Sequence, residues 1–167
     1  LSLANADNHS WKMLPAPCEL DTLLLETYEK YEPLARKKQL TLKIQLPDEP
    51  LDPCPCDSSR ISQVLSILVD NAISYTPENG TILLSLSQKE TTFLLSVADN
   101  GPGIPDSSKD SVFQRFYRAD SSRNDKQHFG LGLSIAREIL QLHHGTIRIT
   151  DTPGGGATFL ISLPGTW

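Results

Sequence analysis

The chain has 167 residues, 38% hydrophobic and 21% charged, with a formal net charge of -5 at pH 7. That length suits one compact domain with a short appendage, and an acidic balance without a basic tract argues against nucleic acid as the main partner. No apolar run approaches the roughly 20 residues that cross a bilayer, and no signal-peptide pattern is present. The first residue is Leu1 and the only Met is Met13, so the sequence reads as a piece excised from a larger protein, with any targeting or membrane segment outside it.

Residues 1–18 are polar and irregular, with Pro15 and Pro17, and read as a linker or the frayed end of a preceding helix. Asp21 is placed to cap a helix over about 22–38 whose apolar stripe is Leu24, Leu25, Tyr28, Tyr31, Leu34 and Ala35, with Pro33 breaking or kinking it. Leu40, Leu42, Ile44 and Leu46 alternate as in a strand with one buried face. Pro47 to Pro55 reads as a loop. Cys18, Cys54 and Cys56 lack the spacing of redox or zinc motifs and read as incidental, consistent with a reducing compartment.

Asp57 or Ser58 caps a second helix over about 59–75. Val64, Leu68 and Tyr75 mark one stripe, and Asn71 falls on it, seven residues from Val64 and four from Tyr75. A side-chain amide in such a stripe needs its hydrogen bonds met. A neighbouring backbone group would do so, and so would a polar ligand or the oxygen shell of a hard cation.

Strands over 81–87 and 92–98 form an antiparallel hairpin. Phe93, Leu95 and Val97 share one face, and Asp99 has the same parity, which aims a carboxylate inward at the sheet's edge. A carboxylate there needs a donor-bearing partner. The following Gly101 and Gly103 let backbone approach that partner closely, although Asp-Asn-Gly is also an ordinary turn. Val112, Phe113, Phe116 and Tyr117 make a short amphipathic turn with Arg115 and Arg118 beside it, and 119–128 reads as a mobile loop. Gly130 and Gly132 lead into a helix of about 133–143, where free N–H groups suit an anion. Gly145 ends that helix, and His143 and His144 read as partners of its C-terminus rather than metal ligands. Strands over 146–150 and 157–163 flank a turn at 154–156.

These signals, in this order, resemble the ATP-binding catalytic domain of sensor histidine kinases, within the superfamily of gyrase, heat-shock chaperone and MutL-type ATPases. The likeness runs from about Leu20 to Pro164: residues 63–77 resemble the asparagine box, 99–105 the first glycine box, 112–118 the phenylalanine box, 129–135 the second glycine box and 154–159 the last. Each box alone is weak, whereas the ordered set is specific. The resemblance implies an α/β two-layer sandwich: a mixed, largely antiparallel five-stranded sheet covered on one face by about three helices, with an ATP lid over about 117–129. It implies a linker at 1–18 and a catalytic domain at 19–167.

The same resemblance implies that Asp99 accepts from the adenine amine, that Asn71 coordinates Mg²⁺, and that Tyr75 lies against the base. Gly101, Gly103 and Ile104 would border the nucleotide, Phe113 and Phe116 would anchor the lid, and Gly130, Leu131, Gly132 and Leu133 would stand near the phosphates, with Thr158 a further contact. Arg115 or Arg118 would reach the γ-phosphate. Ile67 stands where the family often has Asn, Ser74 where it often has a basic residue, and 127–129 replaces a glycine-rich lead-in. None of His9, His128, His143 or His144 has the context of the family's phosphoacceptor. The expected reaction is therefore transfer from Mg-ATP to a histidine on a helical dimerisation domain absent from this chain, then to an aspartate of a response regulator. The intact protein would be a homodimer, commonly at a bacterial membrane with this domain in the cytoplasm, and the fragment a monomer. The rivals are a catalytically degenerate regulatory module and an ATPase that uses nucleotide to drive dimerisation.

Overall fold

A computed structural model describes residues 12–115 and 132–167. The described elements follow the chain as β1 (Ala16–Cys18), α1 (Leu20–Lys37), β2 (Thr41–Gln45), β3 (Cys54–Cys56), α2 (Ser58–Tyr75), β4 (Thr81–Lys89), β5 (Thr92–Asp99), two 3-10 turns (Asp106–Ser108 and Ser111–Phe113), α3 (Gly132–Leu142), β6 (Thr146–Asp151) and β7 (Ala157–Pro164). Five strands form one sheet in the order β2-β4-β5-β7-β6, and β1 and β3 form a separate pair. Only the β2–β4 pairing is parallel. The sheet is thus mixed and largely antiparallel.

Period-two alternation builds the core. Along β5 the residues Phe93, Leu95, Val97 and Asp99 are all buried, and Ile82, Leu84 and Leu86 on β4 and Ala157, Phe159, Ile161 and Leu163 on β7 join them. The register sets Val97 between Leu84 and Phe159, so one layer of side chains runs across three strands. Helix α2 adds Ile61, Val64, Leu65, Leu68, Val69 and Ala72 to this layer, and α3 adds Ala136, Ile139 and Leu140.

Helix α1 corrects the sequence reading in three respects. Its buried stripe is Leu20, Leu23, Leu24, Thr27, Tyr31 and Ala35, whereas Leu25 and Leu34 are exposed. Pro33 neither breaks nor ends it; Pro33 is itself exposed, so the carbonyl left without a partner on that side faces water. Asp21 is not the cap. Glu19 holds that position without a side-chain bond, and Asp21 Oδ1 accepts from the Thr22 N–H within the first turn.

Helix α2 begins as expected. Asp57 is its N-cap, with Oδ1 accepting from the Arg60 N–H and the Ser59 hydroxyl. The proline-rich stretch before it is not all loop. Cys54–Cys56 pairs antiparallel with Ala16–Cys18, and the Leu14 N–H donates to Asp57 Oδ2 at 3.1 Å, so residues 14–18 of the segment read as a linker are seated on the domain. Helix α3 ends where His143, buried, donates from Nδ1 to the Ile139 carbonyl at 2.9 Å and accepts at Nε2 from the Asp57 N–H at 3.0 Å. Trp167 packs edge-on against both His143 and His144. Among the described residues no helix is long and apolar enough to cross a membrane.

Candidate nucleotide site

Asp99 ends β5 with only 8% of its surface exposed. Strand alternation carries it to the core face, where an unpaired carboxylate is costly. Two backbone donors meet the need on one oxygen: Oδ1 accepts from the Gly101 N–H at 2.9 Å and from the Ala157 N–H at 3.2 Å. Both bonds fall on Oδ1; Oδ2 takes no hydrogen bond from the described residues and is not sealed from solvent. The site therefore holds a buried carboxylate with one fixed oxygen and one acceptor open to a donor.

Three glycines make the room. A Cβ at Gly101 would stand 3.2 Å from the Tyr75 carbonyl oxygen and 3.3 Å from Asp99 Oδ1. Gly103 has φ of 79° and would put a Cβ 3.3 Å from the Gly156 carbonyl oxygen. Gly156, at φ of 114°, packs on the backbone of Asp99 and Asn100, with a Cβ position only 2.8 Å from the Asn100 Cα. Tyr75, Asp99, Gly101, Gly103 and Gly156 thus converge from the end of α2, the end of β5 and the β6–β7 turn. Thr76 belongs to the same cluster, its Cα 3.5 Å from the Gly101 Cβ position. Its buried hydroxyl has no hydrogen-bond partner among the described residues.

Asn71 lies on α2 one turn before Tyr75 and is half-buried. Its amide takes part in no hydrogen bond with the described residues, so no backbone partner accounts for it. Four residues earlier, and so on the same helical face, is Ile67. A Cβ at Gly132, the first residue of α3, would stand 3.3 Å from Ile67 Cγ2. That packing sets the N-terminus of α3 beside the face of α2 that carries Asn71. Ile104 and Leu133 are partly buried against the core.

One expected contact, Thr158, is placed away from this cluster. Thr158 pairs with Ala98, so its side chain points to the face of the sheet opposite Asp99; its hydroxyl lies 2.9 Å from that of Thr152. The β7 residue that touches Asp99 is Ala157, one position earlier. Arg115 lies in an open cleft of about 440 Å³ with Phe113, Ser134, Arg137 and Glu138. Phe113 anchors that region, its ring edge-on to Phe159 at 6.4 Å and its face 5.7 Å from the Arg137 guanidinium. Phe116, Arg118, Gly130 and Leu131, and the proposed lid at 117–129, lie outside the described residues.

Sequence reasoning missed Gly156, the Ala157 N–H and the Thr76 hydroxyl. Gly156 carried a signal in the run Gly154-Gly155-Gly156, whereas nothing local marks the donor at Ala157.

Comparisons with known proteins identify the family and the fold. Residues 56–166 match the family described as histidine kinase-, DNA gyrase B-, and HSP90-like ATPase. The chain is 35% identical over 167 residues to the sensor histidine kinase TmoS of Ectopseudomonas mendocina, covering 98% of itself and 17% of that protein. It is 35% identical over 160 residues to the adaptive-response sensory kinase SasA of Synechocystis sp., covering 94% of itself and 41% of that protein. The chain thus spans less than half the length of these curated relatives. The catalytic domain of the histidine kinase ThkA superposes with a TM-score of 0.82 at 33% identity, over 93% of this chain and 100% of that one. A further structure holds ThkA in complex with the response regulator protein TrrA, with a TM-score of 0.80 at 29% identity. The chain belongs to the histidine kinase-, DNA gyrase B-, and HSP90-like ATPase family and, within it, to the catalytic domains of histidine kinases.

Proposed function

We propose that the cluster around Asp99 binds the adenine of ATP and that Asn71 holds the Mg²⁺ that accompanies its phosphates. The observation that carries this reading is the asymmetry of the Asp99 carboxylate. Oδ1 is locked by two backbone donors, which fixes Oδ2 as an acceptor for one external N–H, the exocyclic amine of a purine. Gly101 and Gly156 keep Cβ atoms away from that oxygen, and the unpartnered Thr76 hydroxyl adds a second polar group within the same cluster.

The residues present fit a magnesium ion bound with its nucleotide. Among the described residues no group of three or more His, Cys, Asp or Glu could hold a metal alone. One amide oxygen, from Asn71, is what the described residues offer on this face of α2. Mg²⁺ commonly takes one or two protein ligands and completes its shell with phosphate oxygens and water. When bound, it would draw charge from the phosphates during transfer. The chain's own work is to orient: Asp99 fixes the base, and α2 holds Asn71 against the phosphate end.

The activity of the whole protein follows from this placement. The γ-phosphoryl group passes to a histidine of a helical dimerisation domain and then to an aspartate of a response regulator. The catalytic domain comprises residues 19–167, and residues 12–18 are the approach from the dimerisation domain. Arg115 or Arg118 stabilises charge at the γ-phosphate. The test is calorimetric titration of ATP with and without Mg²⁺, followed by phosphoryl transfer to a supplied dimerisation domain. A Mg²⁺-dependent gain in affinity that Asn71→Ala removes supports the reading. Binding indifferent to both Mg²⁺ and Asn71, with no transfer, would instead indicate a regulatory module, as would fit Ile67 packed on Gly132 in place of a polar residue.

A further inference from the structure

The short β1–β3 pair carries a cluster of thiols that the nucleotide site does not use. Cys18 is the register partner of Cys54, and Cys56 lies two residues further along β3, so all three side chains share one face of the pair. Cys54 and Cys56 are buried and Cys18 is half-buried, and all three are free thiols. The Cys56 thiol interacts electrostatically with both neighbours, Cys54 and Cys18. Cys54 Sγ also lies 3.8 Å from the carbonyl oxygen of Pro164, the last residue of β7. Packing as small apolar side chains accounts for the two buried residues. It does not account for a third thiol facing them from the strand that precedes α1.

The backbone permits a covalent link. Opposed residues of an antiparallel pair have Cα atoms about 4.5 or 5.5 Å apart, whichever kind of pair they form. Both values lie within the range of about 4.4–6.8 Å that a disulfide requires. We propose that Cys18 and Cys54 are an oxidant-responsive clasp, in which a disulfide between these opposed residues pins the chain's N-terminal approach to the ATP-binding unit. The oxidant is hydrogen peroxide. Cys18, the thiol that solvent reaches, attacks the O–O bond as its thiolate, giving a sulfenic acid and, with the displaced proton, one water. The Cys54 thiol then attacks the Cys18 sulfur; the S–O bond breaks, and hydroxide leaves with that thiol's proton as a second water. Two thiols lose two electrons and the peroxide gains two.

The electrostatics set the pace. Burial first, then Cys56, Glu26 and Glu19, push the Cys18 thiol up to about 12, which leaves little thiolate at neutral pH. Cys54 is shifted the other way by its interaction with Cys56, which suits it to the second step. Closure is therefore slow and speeds up as pH rises, so the clasp registers sustained oxidation rather than a brief pulse.

Its mechanical consequence follows from the next residue. Asp57 caps α2 and holds the Leu14 N–H, so the clasp and the cap together join residues 14–18 to the helix that carries Asn71. The test is treatment of the 167-residue chain with hydrogen peroxide at pH 7 and pH 9, with intact-mass and non-reducing peptide analysis, and hydrogen exchange before and after. The expected product is an intramolecular cross-link between Cys18 and Cys54, formed faster at pH 9 and reversed by dithiothreitol. Amides of 12–18 should become more protected, and Cys18→Ser should abolish both changes. A link confined to Cys54 and Cys56, an intermolecular dimer through Cys18, a sulfinic acid at Cys18 without a cross-link, or unchanged exchange in 12–18 would each overturn the proposal.

Discussion

Gly156 packs against the backbone of Asp99 so closely that a Cβ there would overlap the Asp99 carbonyl oxygen. The turn before β7 and the end of β5 are thereby one unit, joined also by the bond from the Ala157 N–H to Asp99 Oδ1. Gly156→Ala must both move that backbone and tolerate φ of 114°, so it should cost upwards of about 2 kcal/mol and weaken ATP binding. Gly154 has φ of 87° but open space around it; Gly154→Ala should cost only about 1 kcal/mol. Urea unfolding of the two variants separates steric overlap from backbone strain.

Asp57 is the second junction. Its carboxylate caps α2 and receives the Leu14 N–H. Burial works to raise its pKa, but hydrogen bonds from Leu14, Ser59 and Arg60 together outweigh it and hold the carboxyl below its usual value. Asp57→Ala should cost about 1–2 kcal/mol in denaturant unfolding from the lost cap. It should also raise hydrogen exchange in residues 12–18, because it frees Leu14.

His143 predicts a pH dependence. Accepting from the Asp57 N–H at Nε2 requires the neutral ring, with its proton on Nδ1. Burial, its largest influence, lowers its pKa; the Ile139 carbonyl and Asp57 oppose that shift, and His144 adds to it. A base whose folded pKa is depressed binds fewer protons when folded, so its stability is present above the unfolded value near 6.5 and declines as pH falls below it. Thermal unfolding should show Tm dropping between about pH 6.5 and the depressed folded value. That component should vanish in His143→Gln.

Ile67 and Gly132 predict a compensating pair. Gly132→Ala brings a Cβ to 3.3 Å from Ile67 Cγ2, tight enough that the Ile67 side chain must give by a few tenths of an ångström. The single substitution should lower stability, and its cost should be smaller in an Ile67→Ala background, where Cγ2 is gone. A double-mutant cycle by urea unfolding should give a coupling of about 0.5 kcal/mol or more.

Much of this was legible in the sequence because alternation is rigid. The parity of Phe93, Leu95 and Val97 places Asp99 inward whatever the rest of the chain does, and the structure agrees. Thr158 came from the family resemblance and not from alternation: β7 starts at Ala157 as expected, and Thr158, opposite Ala98, lies on the other face from Asp99. On α1, Leu25 and Leu34 look like core residues by type. The stripe that packs is rotated to Leu20, Leu23 and Thr27, a choice made by the sheet beneath and not by the helix. The β3 strand was hidden in a proline-rich stretch because its partner, Ala16–Cys18, is remote in sequence. The order of the boxes revealed the fold class; the donors to Asp99 Oδ1 come from backbone, which no side-chain motif records.

The most direct test of the central claim is calorimetric titration of ATP into the native chain and into Asp99→Asn. The asparagine oxygen can still accept from the Gly101 and Ala157 N–H groups, so the fold should persist, as circular dichroism would check. Its amide nitrogen would then take the place of Oδ2 and present a donor to the adenine amine. The account predicts that ATP binding falls at least about 100-fold, as expected when a buried hydrogen bond to a charged group is replaced by opposed donors. A folded Asp99→Asn variant that binds ATP as tightly as the native chain would contradict it.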